Sequence, residues 1–112
     1  MKDNQALIIV DVQKDFLETG ALPVKDGSQV VPVINRISPK FKHVVFTQDW
    51  HPHGHISFAS SRPGKASYST IDVSYGKQVL WPEHCVQNTV GAEFADGLNT
   101  ENGDCFVTVS YT

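Results

Sequence analysis

The stretch "TQDWHPHGHISF", Thr47 to Phe58, sets Asp49, His51, His53 and His55 close together beside Trp50. Three chemistries are open to it: a polar loop with unliganded histidines, a metal site, or an acid–base cluster. Asp49 and His51 are two residues apart. In an extended segment such residues point to the same side, so both can grip one ion. His55 follows Pro52 and Gly54, which let the chain turn back. One carboxylate with two imidazoles suits zinc, manganese or iron better than magnesium or calcium. His53 is the odd one out, because it shares the Asp49 side only if the chain stays extended through Pro52 and Gly54. His84, in "WPEHC", is a candidate fourth ligand if the fold brings it back. Its spacing decides nothing, and a histidine beside an aromatic is more often structural.

Asp11 closes the run "ALIIVD", just as Asp49 closes "HVVFTQD". In open parallel sheets, ligands bind beyond the carboxyl ends of the strands. If the two strands are neighbours, about 4.8 Å apart, the two carboxylates overlook one crevice. Either aspartate alone reads equally well as a loop cap. Cys85 raises the question of a nucleophile, which needs a base or a cation to lower its pKa. Asp11 or His84 could serve in principle. Adjacent residues seldom aim their side chains at each other, so Cys85 reads as a small buried residue. Cys105 lies within an apolar strand and is expected to be buried as well.

The elements that must position these residues follow from pattern. Ala6 to Asp11 is an unbroken aliphatic run, the signature of a strand buried on both faces. "VQKDFLETGALPVKDGS" is broken by Gly20, Pro23 and Gly27 and reads as a loop. Ser28 is positioned to cap a helix from about Gln29 to Ile37. Val30, Val31, Ile34 and Ile37 share its buried face, and Pro32 is tolerated near its first turn. His43 to Asp49 is a second strand. Trp50 to Leu80 reads as one long irregular loop, of a length that is usually functional. A short helix is expected near Val90 to Leu98, and "DCFVTVSYT" is a closing strand. Strand, helix, strand implies a right-handed crossover and a parallel sheet, hence a Rossmann-like, three-layer α/β fold.

Composition narrows the classes. The 112 residues make one domain at most. A net charge of −3 with no basic stripe gives no attraction to nucleic acid. The longest apolar run, "ALIIV", is too short to span a bilayer, and the polar start "MKDNQ" is no signal peptide, so the cytoplasm is expected. There the two cysteines are free thiols, and neither belongs to a C-x-x-C zinc knuckle. No G-x-G-x-x-G follows the first strand to cradle a pyrophosphate.

Taken together, "ALIIVDVQKDF", "TQDWHPHGHISFAS" and "LWPEHCVQNTVGAEF" resemble, in order, the first three motifs of the nicotinamidase branch of the isochorismatase-like hydrolases. The resemblance implies a single isochorismatase-like domain over residues 1–112 that lacks the family's C-terminal part. It implies a cytoplasmic amidohydrolase converting nicotinamide to nicotinate and ammonia. Asp11 matches the catalytic aspartate. Asp49, His51, His55 and His84 match four metal ligands, and Phe16 and Trp81 match aromatics of the substrate pocket. The implied ion is divalent, zinc first, with iron or manganese also compatible. The family's nucleophilic cysteine follows a later strand, and its lysine follows a strand near this chain's end. No lysine follows Leu98, and neither Cys85 nor Cys105 has the nucleophile's context. Impaired catalysis is therefore expected; the alternative is a non-catalytic metal-binding remnant or partner subunit. A partial parallel sheet with the apolar edge "CFVTVSYT" also predicts self-association.

Overall fold

The computed structural model describes residues 2–109. Strand β1 (Lys2–Val10) leads through an irregular segment into helix α1 (Val30–Ile37), which returns to strand β2 (Phe41–Asp49). A short hairpin, β3 (Thr70–Val73) and β4 (Gly76–Val79), interrupts the long middle segment, and β5 (Cys105–Val109) follows. The main sheet has the order β1-β2-β5 and both pairings are parallel. The Rossmann-like α/β arrangement expected from the strand–helix–strand pattern is the one that forms. The last residues of the expected closing strand, Ser110 to Thr112, lie outside the described residues.

One face of the sheet carries the core. Leu7 pairs with Val44 and Ile9 with Phe46, so these side chains share a face. Ile9, Val44 and Phe46 pack with Val12, Val31, Ile34 and Ala95 in one buried cluster. Phe106 stacks on Phe46 with ring centroids 5.3 Å apart, extending the same face to β5. The opposite face is different. Ile8 and Val10 are 61% and 63% exposed, and Val107 is exposed too. The expectation that β1 is buried on both faces is corrected here: among the described residues the single α-helix covers one face only. Cys105 is corrected for the same reason. It sits on the uncovered face beside Val45 and is exposed.

Three local expectations also change. Helix α1 begins at Val30, with Gln29 at its N-cap position and no capping side chain. The Ser28 hydroxyl donates instead to Glu18 Oε2 at 2.5 Å. Val31 and Ile34 are buried, whereas Val30 is exposed. The expected helix near Val90 to Leu98 is only a 3-10 turn, Val90–Ala92. Its backbone groups are spent elsewhere. The Glu93 carbonyl accepts from the Lys14 N–H, and the Ala95 N–H donates to the Val12 carbonyl, both at 2.9 Å. Finally, the long loop contains the β3–β4 hairpin. Its signal was present in "TIDVSYGKQVL", two short strand-like stretches separated by Ser74 and Tyr75 just before Gly76.

Candidate metal centre and pocket

The carboxyl ends of β2 and the segment after it build the site. Asp49 is the last residue of β2, and His51 follows it in an isolated parallel bridge with Val86. The His51 N–H donates to the Cys85 carbonyl at 2.8 Å, and the Gln87 N–H donates to the His51 carbonyl at 2.8 Å. This bridge is what brings His84 to Asp49. One ligand atom from each of Asp49, His51 and His84 lies within 4.8 Å of the others. Their side chains are only 12%, 7% and 6% exposed. Asp49 Oδ1 stands 3.4 Å from His51 Nδ1, and Oδ2 stands 3.4 Å from His84 Nε2.

The charges in this group are held in tension. Burial pushes the His51 imidazole below its usual value, against the pull of Asp49. Burial pushes His84 down as well, but the Asp49 carboxylate, the Pro82 carbonyl and the charge of Asp15 together raise it. His84 Nδ1 donates to the Pro82 carbonyl at 2.8 Å, which leaves Nε2 turned toward Asp49. Fixing one ring nitrogen on a carbonyl is how proteins present the other as a ligand.

His55 stands beside this group rather than inside it. Its ring centroid is 5.0 Å from that of His51, and its Nδ1 lies 2.7 Å from Ser57 Oγ. Its Nε2 is buried with no hydrogen-bond partner among the described residues, as is Asp49 Oδ1. Buried polar atoms are rarely left so, and each such atom asks for a partner. Two imidazoles, a carboxylate and orphaned donor atoms on one cavity wall fit a divalent ion of the zinc, iron or manganese kind. His53 is exposed, on the turn where Gly54 takes a φ of 70°.

The cavity over this group has a volume of about 470 Å³, with Trp81, Tyr75, Gln78 and Ile56 among its walls. Trp81 is held edge-on by Tyr68, with ring centroids 6.0 Å apart. Asp11 and Phe16 line a second concavity of about 340 Å³. The single crevice expected for Asp11 and Asp49 is therefore divided. The strands are indeed neighbours, but Asp11 leaves β1 with a φ of 55°. That left-handed conformation is held from β2: the Thr47 hydroxyl donates to Asp11 Oδ1 at 2.6 Å, and the Asp11 N–H reaches the Thr47 carbonyl at 3.2 Å. Phe16, in the wall of the second concavity, has its ring centroid 5.6 Å from that of His84, which lines the first.

Cys85 is 0% exposed, with a φ of 48°. Burial, and the carboxylates of Asp49, Asp15 and Asp11, push its thiol far up. Its N–H donates to Asp15 Oδ2 at 2.8 Å, so Asp15 anchors the segment that carries His84. Sequence reasoning missed Asp15, Ser57, Thr47 and the hairpin residues Tyr75 and Gln78. The signals were slight: two polar residues, Gln13 and Asp15, just past the first aliphatic run, and a serine two residues after a candidate ligand.

Known proteins resemble this chain in sequence and fold. A nicotinamidase of Acinetobacter baylyi is 52% identical over 97 residues, which span 87% of this chain and 45% of that protein. The solved structure of an Acinetobacter baumanii nicotinamidase/pyrazinamidase superposes with a TM-score of 0.94 at 45% identity, covering 99% of this chain and 54% of the other. A pyrazinamidase of Pyrococcus horikoshii, solved in complex with zinc, gives a TM-score of 0.65 at 43% identity over 94% of this chain and 50% of its own. The chain thus spans about half the length of the relatives it matches. The family model described as "Isochorismatase domain" matches residues 5–110, and with these residues, this sheet and this histidine cluster the chain belongs to the isochorismatase domain family.

Proposed function

We propose that these residues form the metal and pocket part of a nicotinamidase-type amidohydrolase, whose reaction takes nicotinamide and water to nicotinate and ammonia. The observation that carries the reading is the group of Asp49, His51 and His84, gathered within 4.8 Å in the wall of a cavity of about 470 Å³. His55 is the fourth ligand in this reading, its buried Nε2 having no hydrogen-bond partner among the described residues. Zinc is the expected ion, and a divalent cation there supplies a Lewis-acid centre for the lone pair of a ring nitrogen. Trp81 and Phe16 are the aromatic surfaces that hold and orient a flat ring. Asp11, fixed by Thr47, is the proton acceptor. A cytoplasmic location goes with this reading, since both cysteines are free thiols.

A second reading is favoured by the two cysteines. Amide hydrolysis through a thioester needs an accessible thiolate near the carbonyl. Cys85 is fully buried with its thiol pushed up. Cys105 pairs with Val45, four residues back along β2 from Asp49, or roughly 13 Å of strand. The 112-residue chain by itself is therefore expected to bind metal and nicotinamide while turning the amide over barely above background. Two measurements test both readings. Bound metal after dialysis should be about one divalent ion per chain; His51→Ala should lose most of it and His53→Ala little. Equal losses would refute the ligand set. Ammonia release is then followed with zinc, iron or manganese supplied. Robust turnover that Cys85→Ala abolishes would make Cys85 the nucleophile and end the second reading.

A further inference from the structure

We infer that the Gln13 side chain is a positioning residue for the metal site, acting as a substitute strand that sets the backbone of Asp49. The inference rests on the reading of Asp49, His51 and His84 as ligands. Strand β1 accompanies β2 only as far as the pair Val10 and Thr47. The Asp11 N–H makes one more bond to the Thr47 carbonyl, and the chain then turns away. Asp49 lies two residues further along β2. Its N–H and C=O point to the side that β1 has left.

Gln13 fills that gap with its amide. Its Oε1 accepts from the Asp49 N–H at 2.9 Å, and its Nε2 donates to the Asp49 carbonyl at 2.9 Å. The second Nε2 proton goes to the Ala92 carbonyl at 2.8 Å. The group is 0% exposed. A primary amide offers an acceptor and two donors, and all three functions are used. Glutamate in its place would offer no donor and would set a charge against two carbonyl oxygens. Asparagine would fall one methylene short. On its other side β2 is held by β5, where the Trp50 N–H donates to the Val109 carbonyl at 3.0 Å. Asp49 is thus gripped from both sides at the point where a carboxylate must reach His51 and His84 together, 3.4 Å from each. None of the Gln13 bonds goes to that carboxylate, so its influence passes through the main chain. Groups that orient a ligand in this way are commonly worth ten- to hundredfold in metal affinity.

The test measures zinc affinity by competition with a chromogenic chelator for the unsubstituted chain, Gln13→Glu, Gln13→Asn and a core control, Ile9→Val. Circular dichroism and thermal unfolding report the fold of each. The Gln13 variants should bind zinc roughly ten- to hundredfold more weakly. Ile9→Val should lower the unfolding midpoint and leave zinc affinity alone. Folded Gln13 variants with unchanged affinity overturn the inference. If those variants do not fold, the unsubstituted chain decides by NMR. Zinc should shift the Gln13 side-chain amide signals and slow hydrogen exchange at the Asp49 N–H, and unaltered signals with zinc bound overturn the inference. An unsubstituted chain that binds no zinc overturns the ligand reading itself, and the inference with it.

Discussion

At the scale of single residues, the two cysteines show how position overrides chemistry. Both are free thiols. Cys85 is enclosed beside three carboxylates, each of which disfavours a thiolate, and burial disfavours it further. Cys105 faces outward from β5. A chromogenic disulfide at neutral pH should therefore label one thiol per chain promptly and the second only after denaturation. Cys105→Ser should remove the fast phase, and Cys85→Ser should leave it intact. A fast phase that survives Cys105→Ser, and so belongs to Cys85, would reverse the assignment. Asp11 and Cys85 also share a backbone feature. Both adopt left-handed φ values, which cost about 1–3 kcal/mol for such residues and persist only where neighbours over-determine them. Thr47 supplies that constraint for Asp11, and Asp15 with His51 supplies it for Cys85.

At the scale of elements, the informative segment is Val90–Ala92. Its composition suits a short helix, yet it is a single turn pressed against the segment after β1. Gly91 is the reason it can approach so closely. A Cβ there would overlap the Asp15 carboxylate, which already accepts the Cys85 N–H. Gly91→Ala should force Asp15 aside, loosen the segment that carries His84, and destabilise the protein by about 1–3 kcal/mol, the usual cost of overpacking. Denaturant unfolding gives the stability and chelator competition gives the metal affinity, and both should fall together. Stability falling alone would mean that Asp15 does not hold the His84 segment. The β3–β4 hairpin works differently. It adds Tyr75 and Gln78 to the cavity wall, joined by a bond from the tyrosine hydroxyl to Gln78 Oε1 at 2.6 Å.

At the scale of the whole molecule, the unbalanced sheet dominates. Parallel sheets are normally covered on both faces, yet Ile8, Val10 and Val107 are exposed together on one. Among the described residues, strands β1 and β5 are the two edges of the three-stranded sheet. Exposed apolar faces and open edges are the features that drive strand-to-strand and face-to-face association. The chain should therefore self-associate, with a mean mass in sedimentation that rises with concentration. A double change, Ile8→Thr with Val10→Thr, should lower that mass and leave zinc binding unaltered, because neither residue belongs to the metal group or lines its cavity. A concentration-independent monomer would contradict this. No helix among the described residues is long and apolar enough to cross a membrane.

What could be read from the chain alone was whatever depends on short-range order. Two aliphatic runs ending in aspartate gave two parallel neighbours, since an uninterrupted β-branched run has few other ways to bury itself. The spacing of Asp49 and His51 placed both on one side for the same local reason, and the order of the three motifs gave the family. Long-range geometry had to come from the fold. That His84 reaches Asp49 depends on a bridge between His51 and Val86, residues far apart in sequence. That Asp11 lines a different concavity from Asp49 depends on one left-handed residue and one threonine hydroxyl. That Cys105 is exposed and β1 half-covered depends on how many layers flank the sheet, which no strand's own pattern records. Gln13 is the sharpest case. A glutamine after a buried strand looks like the start of a polar loop, and only where β1 ends relative to β2 makes its amide the partner that Asp49 lacks.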